Sequence, residues 1–225
     1  MDVGRAFTYV TEDPEWVKKV LIGGVIVLAS MLLSLILIGL VGYILLLGYY
    51  VEVMRRVHAG TPTPMPEWDD LGGYITRGFI AAVGVLIWTL PFTLITCVGI
   101  VIGSLINEDA GGVVILGTVC VLTPFLLALG IFVLPIVVAR YAVTGDFNAM
   151  FQFSEVFAES RRILVPLLIV FVMSIVVSFV AYIGLIACFI GIAFTTHYAY
   201  LVHSYLIGDA YRQATGGSTT PQAAF

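Results

Sequence analysis

Charge is what this chain has least of. Of its 225 residues only 11% are charged, 10 basic against 14 acidic, while 60% are apolar and the mean hydropathy is +1.09. A soluble domain carries about 25% charge to cover its surface. A soluble globular enzyme, a disordered chain and a nucleic-acid binder with a basic face are therefore excluded. Cysteine is also scarce. Cys97, Cys120 and Cys188 lie in apolar stretches, with neither a disulfide framework nor a paired metal spacing, and read as small hydrophobes. No Ser/His/Asp arrangement, His-Glu-x-x-His helix, phosphate-cradling loop or Cys-x-x-Cys pair is present. A cleavable leader is not expected either, because mostly polar residues including Asp2, Glu12, Asp13 and Glu15 precede the first apolar run.

What the chain does have is long runs without charge. Residues 20–51, 78–107, 110–139 and 163–208 carry none. A membrane helix needs about 20 apolar residues, so the last run predicts two spans turning near Gly184 to Gly191, and the middle two one span each. The first run is one steep helix or two short ones turning at Gly39-Leu40-Val41-Gly42. Basic residues are retained on the cytoplasmic side, and only two spans here place all ten of them on one side. The expectation is an all-α polytopic bundle of six spans in the cell membrane, with both termini cytoplasmic. It forms a single domain over residues 1–214, with hairpins near 17–58, 75–140 and 163–208, before a polar tail at 215–225.

The three hairpins end alike. Arg55 to Gly60, Arg140 to Gly145 and His203 to Gly208 each place a glycine five residues after a cation or imidazole, which suits a helix C-cap. Aromatic, polar segments precede each entry, at residues 7–19, 66–77 and 151–162. The tripeptide Pro-Glu-Trp occurs at 14–16 and 66–68, with Trp16 and Trp68 expected at headgroup level. Phe153, Val156 and Phe157 share one face of a short helix expected to lie in the interface. Residues 60–70, with three alternate prolines, predict a stiff extended linker. Its Asp69-Asp70 pair suits a helix cap before Leu71, and with Trp16 and Trp68 it forms the candidate docking surface.

Ionisable groups within hydrocarbon are expensive and so each raises a functional question. His197 lies near the middle of the sixth span, with Tyr200 and Ser204 on its face at helical spacing and His203 about 120° away. A proton relay or an axial ligand for a ring cofactor is the sharper reading. The ordinary one is hydrogen bonding between helices, which requires no cofactor. Glu52 is explained by local ion pairs with Arg55 and Arg56. Pro91 and Pro124 at similar depth are candidate helix breaks of the kind that line transporter cavities, or simple kinks. Gly99 and Gly103 give a small-xxx-small spacing for close helix approach, within the protein or against another chain.

Phe7-Thr8-Tyr9 with Glu12-Asp13 and Trp16-Val17-Lys18, the opening Ile22-Gly23-Gly24, Gly48-Tyr49 with Arg55, and Pro66-Glu67-Trp68-Asp69-Asp70 together resemble one family. It is domain-of-unknown-function family 4013 of archaeal and bacterial integral membrane proteins, and the likeness is sharpest over residues 7–80. The resemblance implies a multi-span membrane fold and no catalytic activity. The leading expectation is thus a non-enzymatic membrane scaffold or accessory subunit, in contact with the lipid bilayer and other membrane chains and with no nucleic acid. The alternatives are a carrier for a small or lipid-like solute beside Pro91, Pro124 and His197, and a cofactor-holding subunit using His197.

Overall fold

The computed structural model describes residues 2–34, 38–106, 108–183 and 188–216, which form helices and connecting turns with no strand among them. A short amphipathic helix α1 (Val3–Glu12) leads into α2 (Trp16–Leu33) and α3 (Gly39–His58). The extended linker then enters the long α4 (Leu71–Leu105). Next come α5 (Glu108–Phe132), α6 (Leu134–Thr144), a 3-10 turn at Phe147–Phe151, α7 (Phe153–Arg162), α8 (Leu164–Ile183) and α9 (Cys188–Thr215). Helix α9 packs against α2, α3 and α8, and α3 is the central element, touching α2, α4, α6 and α9.

Three stretches are long and apolar enough to cross a membrane: Trp16–Leu33, Leu71–Leu105 and Ala110–Thr144, the last running from α5 into α6. A fourth arises if α7 and α8, bent by 76°, count as one broken span. The expected six spans are not reached among the described residues. Helix α3 ends in Glu52, Arg55 and Arg56, and the latter part of α9 is polar and packed among its own neighbours.

Several local expectations need correction. The first charge-free run does divide into two helices, but the break lies before Gly39, with residues 35–37 outside those described. Gly39 and Gly42 are helical, and they let α3 lie against α2, where an added Cβ would stand 2.1 Å from the Ser30 carbonyl oxygen or 2.0 Å from its hydroxyl. Gly60 and Gly145 end their helices with φ of 73° and 68°, as a left-handed C-cap requires. Gly208 does not. Helix α9 continues to Thr215, and Gly208 serves packing, facing the Met54 carbonyl of α3 at 2.9 Å from an added Cβ. The turn placed at Gly184 to Gly191 falls partly outside the described residues, and Cys188 already begins α9.

Pro91 and Pro124 break nothing. Both sit inside continuous helices, on exposed faces, where one missing N–H leaves a single carbonyl unpaired. Thr89 and Thr93 hydroxyls donate to the carbonyls of Val85, Leu86, Thr89 and Leu90, not to that of Ile87 opposite Pro91. The irregularity falls instead at Val133, just before Pro135 in the first turn of α6, the helical position where proline is tolerated.

The closest crossing is α3 on α4. An added Cβ at Gly48 would meet the Tyr74 carbonyl oxygen at 1.8 Å, and one at Gly78 the Ile44 carbonyl oxygen at 1.9 Å. Gly99 and Gly103 are likewise used inside the protein, against Thr118, Ile115 and Gly111 of α5.

Candidate functional site

The most enclosed polar group is His197. Its ring is fully buried on α9, directly over Gly23 of α2, where an added Cβ would stand 2.1 Å from Nε2. Nδ1 is hydrogen-bonded to the Tyr50 hydroxyl at 2.8 Å, while Nε2 has no hydrogen-bond partner among the described residues. Tyr49, Tyr50 and Trp68 stand around the imidazole with ring centroids at 6.0, 5.6 and 6.2 Å. The Gly23 backbone closes the space that a ligand on Nε2 would need.

The other candidates on α9 do not converge on this ring. Tyr200 is 52% exposed and joins the cluster only by stacking on Tyr50 at 5.3 Å. The Ser204 hydroxyl donates to the Tyr200 carbonyl one turn back, at 2.7 Å. His203 faces α8, its Nδ1 2.7 Å from the Ser174 hydroxyl. That serine was not singled out by sequence, although Ser174 and Ser178 at helical spacing on α8 were a signal. The pair resembles a nucleophile and its base. The Ser174 hydroxyl, however, also bonds the Val170 carbonyl at 2.8 Å, and a group that orients His203 is required for such chemistry. Ser174 and His203 act as a tether between α8 and α9.

Trp68 turns inward. Its indole stacks on Tyr49 at 4.0 Å and donates to the Lys19 carbonyl at 3.1 Å. Tyr49 donates to the Pro66 carbonyl at 3.0 Å and Tyr74 to that of Glu67. The linker is thus sewn onto the bundle, with Met65 buried beneath it. Lys19, only 3% exposed, completes the seam, its Nζ 2.7 Å from Asp13, 2.6 Å from Glu67 and 3.3 Å from the Met65 carbonyl. Trp16 is partly exposed at the start of α2 and Asp69 is exposed. Asp70 caps α4, accepting from the Gly73 N–H at 3.0 Å and from Arg77 at 2.8 Å. The Arg77 hydrogen bond, then the Gly73 N–H, hold its carboxyl below the usual carboxylate range.

Two ionic centres complete the charged end. Glu52 accepts from Arg55 at 2.7 Å and Arg56 at 3.0 Å, and Arg77 approaches its other oxygen at 3.9 Å. Arg140, buried at the end of α6, donates to the Ala149 carbonyl at 3.0 Å, to Glu159 at 2.6 Å, and to Gln152 and Glu155. The i, i+4 spacing of Glu155 and Glu159 announced a cation, but nothing in the sequence says which. No group of three or more His, Cys, Asp or Glu among the described residues is placed to hold a metal.

Residues 20–190 match the model of a protein family of unknown function, DUF4013. The chain belongs to this family. The DUF4013 match runs from α2 into α9 and so covers the central packing described above. The uncharacterized protein MJ1189 of Methanocaldococcus jannaschii is 31% identical over 147 residues, 64% of this chain and 51% of that protein. The match therefore spans about half the length of that relative. No solved structure matches the chain.

Proposed function

We propose that this DUF4013 protein is a non-enzymatic integral membrane scaffold or accessory subunit of a membrane complex, set in the cell membrane with both termini cytoplasmic. The observation that carries the reading is how the polar groups are used. His197, His203, Lys19, Glu52 and Arg140 are each committed to contacts within the chain. Meanwhile Leu86, Leu90, Leu94, Val98, Val101 and Leu105 leave one long helix apolar on its outside. Helices with apolar outer faces and polar groups turned to partners within the chain suit lipid and other membrane chains as neighbours.

The carrier reading needs a cavity beside Pro91 and Pro124, and both prolines face outward. The cofactor reading needs room at His197, which Gly23 fills. The test is purification from native membranes in mild detergent, with mass spectrometry of what accompanies the chain. A stoichiometric set of membrane proteins is expected. A lone monomer that drives uptake of a solute in vesicles overturns the proposal.

A further inference from the structure

Helix α7 departs from the rest of the bundle in direction and in charge. Helix α8 is 20 residues long, about 30 Å at 1.5 Å per residue, the thickness of the hydrocarbon core. Helix α7 meets it at 76°. With α8 across the bilayer, α7 lies close to the membrane plane at its edge. Trp88 of α4 sits at the same level, its ring 4.9 Å from Phe153 and 6.1 Å from Phe157. From Trp88 to the end of α4 at Leu105 is about 26 Å, so this aromatic group falls where a headgroup belt is expected.

The charges of α7 are sorted by partner. Its sequence, with Glu155, Glu159, Arg161 and Arg162, sums to zero. Arg140 reaches up from α6 and takes both carboxylates. Val156 and Ser160 face the protein. Outward lie Phe153, 56% exposed, Phe157, 45% exposed, the small Ser154 and Ala158, Glu155 with its carboxylate held by Arg140, and the exposed Arg161 and Arg162, which have no ion pair among the described residues. Phe153, Phe157 and Arg161 are spaced four apart along one row. Apolar Leu164 and Val165, also exposed, continue the surface into α8.

We infer that α7 is a binding site for anionic phospholipid, with Phe153 and Phe157 seated at the acyl boundary and Arg161 and Arg162 on the headgroup phosphate. Arginine presents paired donors that match phosphate geometry, and an aromatic face with cations beside it is the pattern of helices that lie in an anionic interface. The inference needs only that α8 crosses the bilayer, and it holds whether or not the chain serves a complex.

The test uses the full chain in nanodiscs containing a headgroup-photoactivatable phosphatidylglycerol or phosphatidylcholine, with cross-links mapped by mass spectrometry to residues 153–164. Phosphatidylglycerol is expected to label this segment at least tenfold more than phosphatidylcholine at equal mole fraction. R161Q/R162Q should reduce that labelling by about tenfold or more, given the attraction of each basic residue near an anionic surface. R161K/R162K, which keeps the charge without the paired donors, should fall between wild type and R161Q/R162Q, and F153Q/F157Q should weaken both lipids alike. Circular dichroism of each variant checks that the helices persist; both arginines are exposed, so folding is expected to be unaffected. Equal labelling by the two lipids overturns the inference, as does an unchanged preference in R161Q/R162Q. Competition by millimolar inorganic phosphate would assign a free-anion site instead, and a co-purifying chain cross-linked across α7 would assign the face to protein.

Discussion

At one end of the bundle α3 and α4 cross at Gly48 and Gly78, surrounded by Tyr49, Tyr74, Trp68 and the Lys19 and Glu52 ion pairs. Roughly 32 to 38 Å further along α4, it meets α5 at Gly99 and Gly103 against Thr118 and Gly111, with exposed Val98, Ile100, Val101 and Ile102 around the contact. Both crossings rely on glycine for close approach. Among the described residues only the first is also locked by side-chain hydroxyl-to-carbonyl bonds that join separate segments and by buried charge. In lipid, burying apolar surface against another helix gains little, because the tails are equally apolar. The outer crossing thus rests on van der Waals packing, whereas the charged end has directional contacts that fix where each helix and the linker must lie.

The widest gap should appear between a glycine inside the first crossing and a glycine of α5 that lies away from the outer crossing. Gly78→Val forces a side chain into the Ile44 carbonyl, and loss of the folded state is expected, at roughly 3 kcal/mol or more from overpacking. Gly117 has nothing within 4 Å of an added Cβ, so Gly117→Ala in α5 should be neutral or stabilise by up to about 1 kcal/mol. Denaturant or thermal unfolding in detergent compares them, and equal effects would erase the distinction.

Lys19→Met comes next, because it leaves the buried Asp13 carboxylate without its partner. Breaking such a pair costs about 3–5 kcal/mol, and limited proteolysis should then cut within residues 60–70 as the linker loosens. Resistance to cleavage there would show that the tyrosine and Trp68 contacts hold the linker alone.

The His197 and Gly23 contact allows a sharper measurement. Gly23→Ala should destabilise by roughly 1–3 kcal/mol in the native background and much less in a His197→Ala background, giving a clear coupling in a double-mutant cycle. Additive effects would mean that the two residues do not share one space.

Asp70 should give the smallest effect. Its folded carboxyl is held below the ordinary value, so the stability it contributes is present above the unfolded value and is lost as pH falls through the folded one. The Asp70 carboxylate is largely exposed, so the loss should stay near 0.5 kcal/mol. Comparison of wild type with Asp70→Asn between pH 7 and pH 3 checks the sign.

Legibility in the sequence followed the range of the interaction. Ion pairs of Glu52 with Arg55 and Arg56 were readable because helical spacing alone creates them. So were the caps at Gly60 and Gly145, and Asp70 before Leu71, since each is decided within a few residues. Pro-Glu-Trp marks the limit. The two copies are identical in sequence, yet Trp16 begins α2 at the surface while Trp68 lies in an extended linker, stacked on Tyr49. Gly208 copied the spacing of a cap and became a packing residue, because Met54 of α3 lay beside it. The Tyr50 contact to His197 joins residues 147 positions apart, and no local pattern carries such a pairing.

Composition and the spacing of charge determined that this chain is helical and apolar on its outside, because a backbone in hydrocarbon must bond to itself and so few charges cannot cover a soluble surface. They also set where the charged segments fall along the chain. Tertiary structure alone decided which ends of which helices became solvent for one another. It enclosed His197 over Gly23, gave both α7 carboxylates to Arg140, and left Arg161 and Arg162 facing out. Those outcomes depend on backbone approach within a few ångströms between segments far apart in sequence, a distance set only when all the helices pack together.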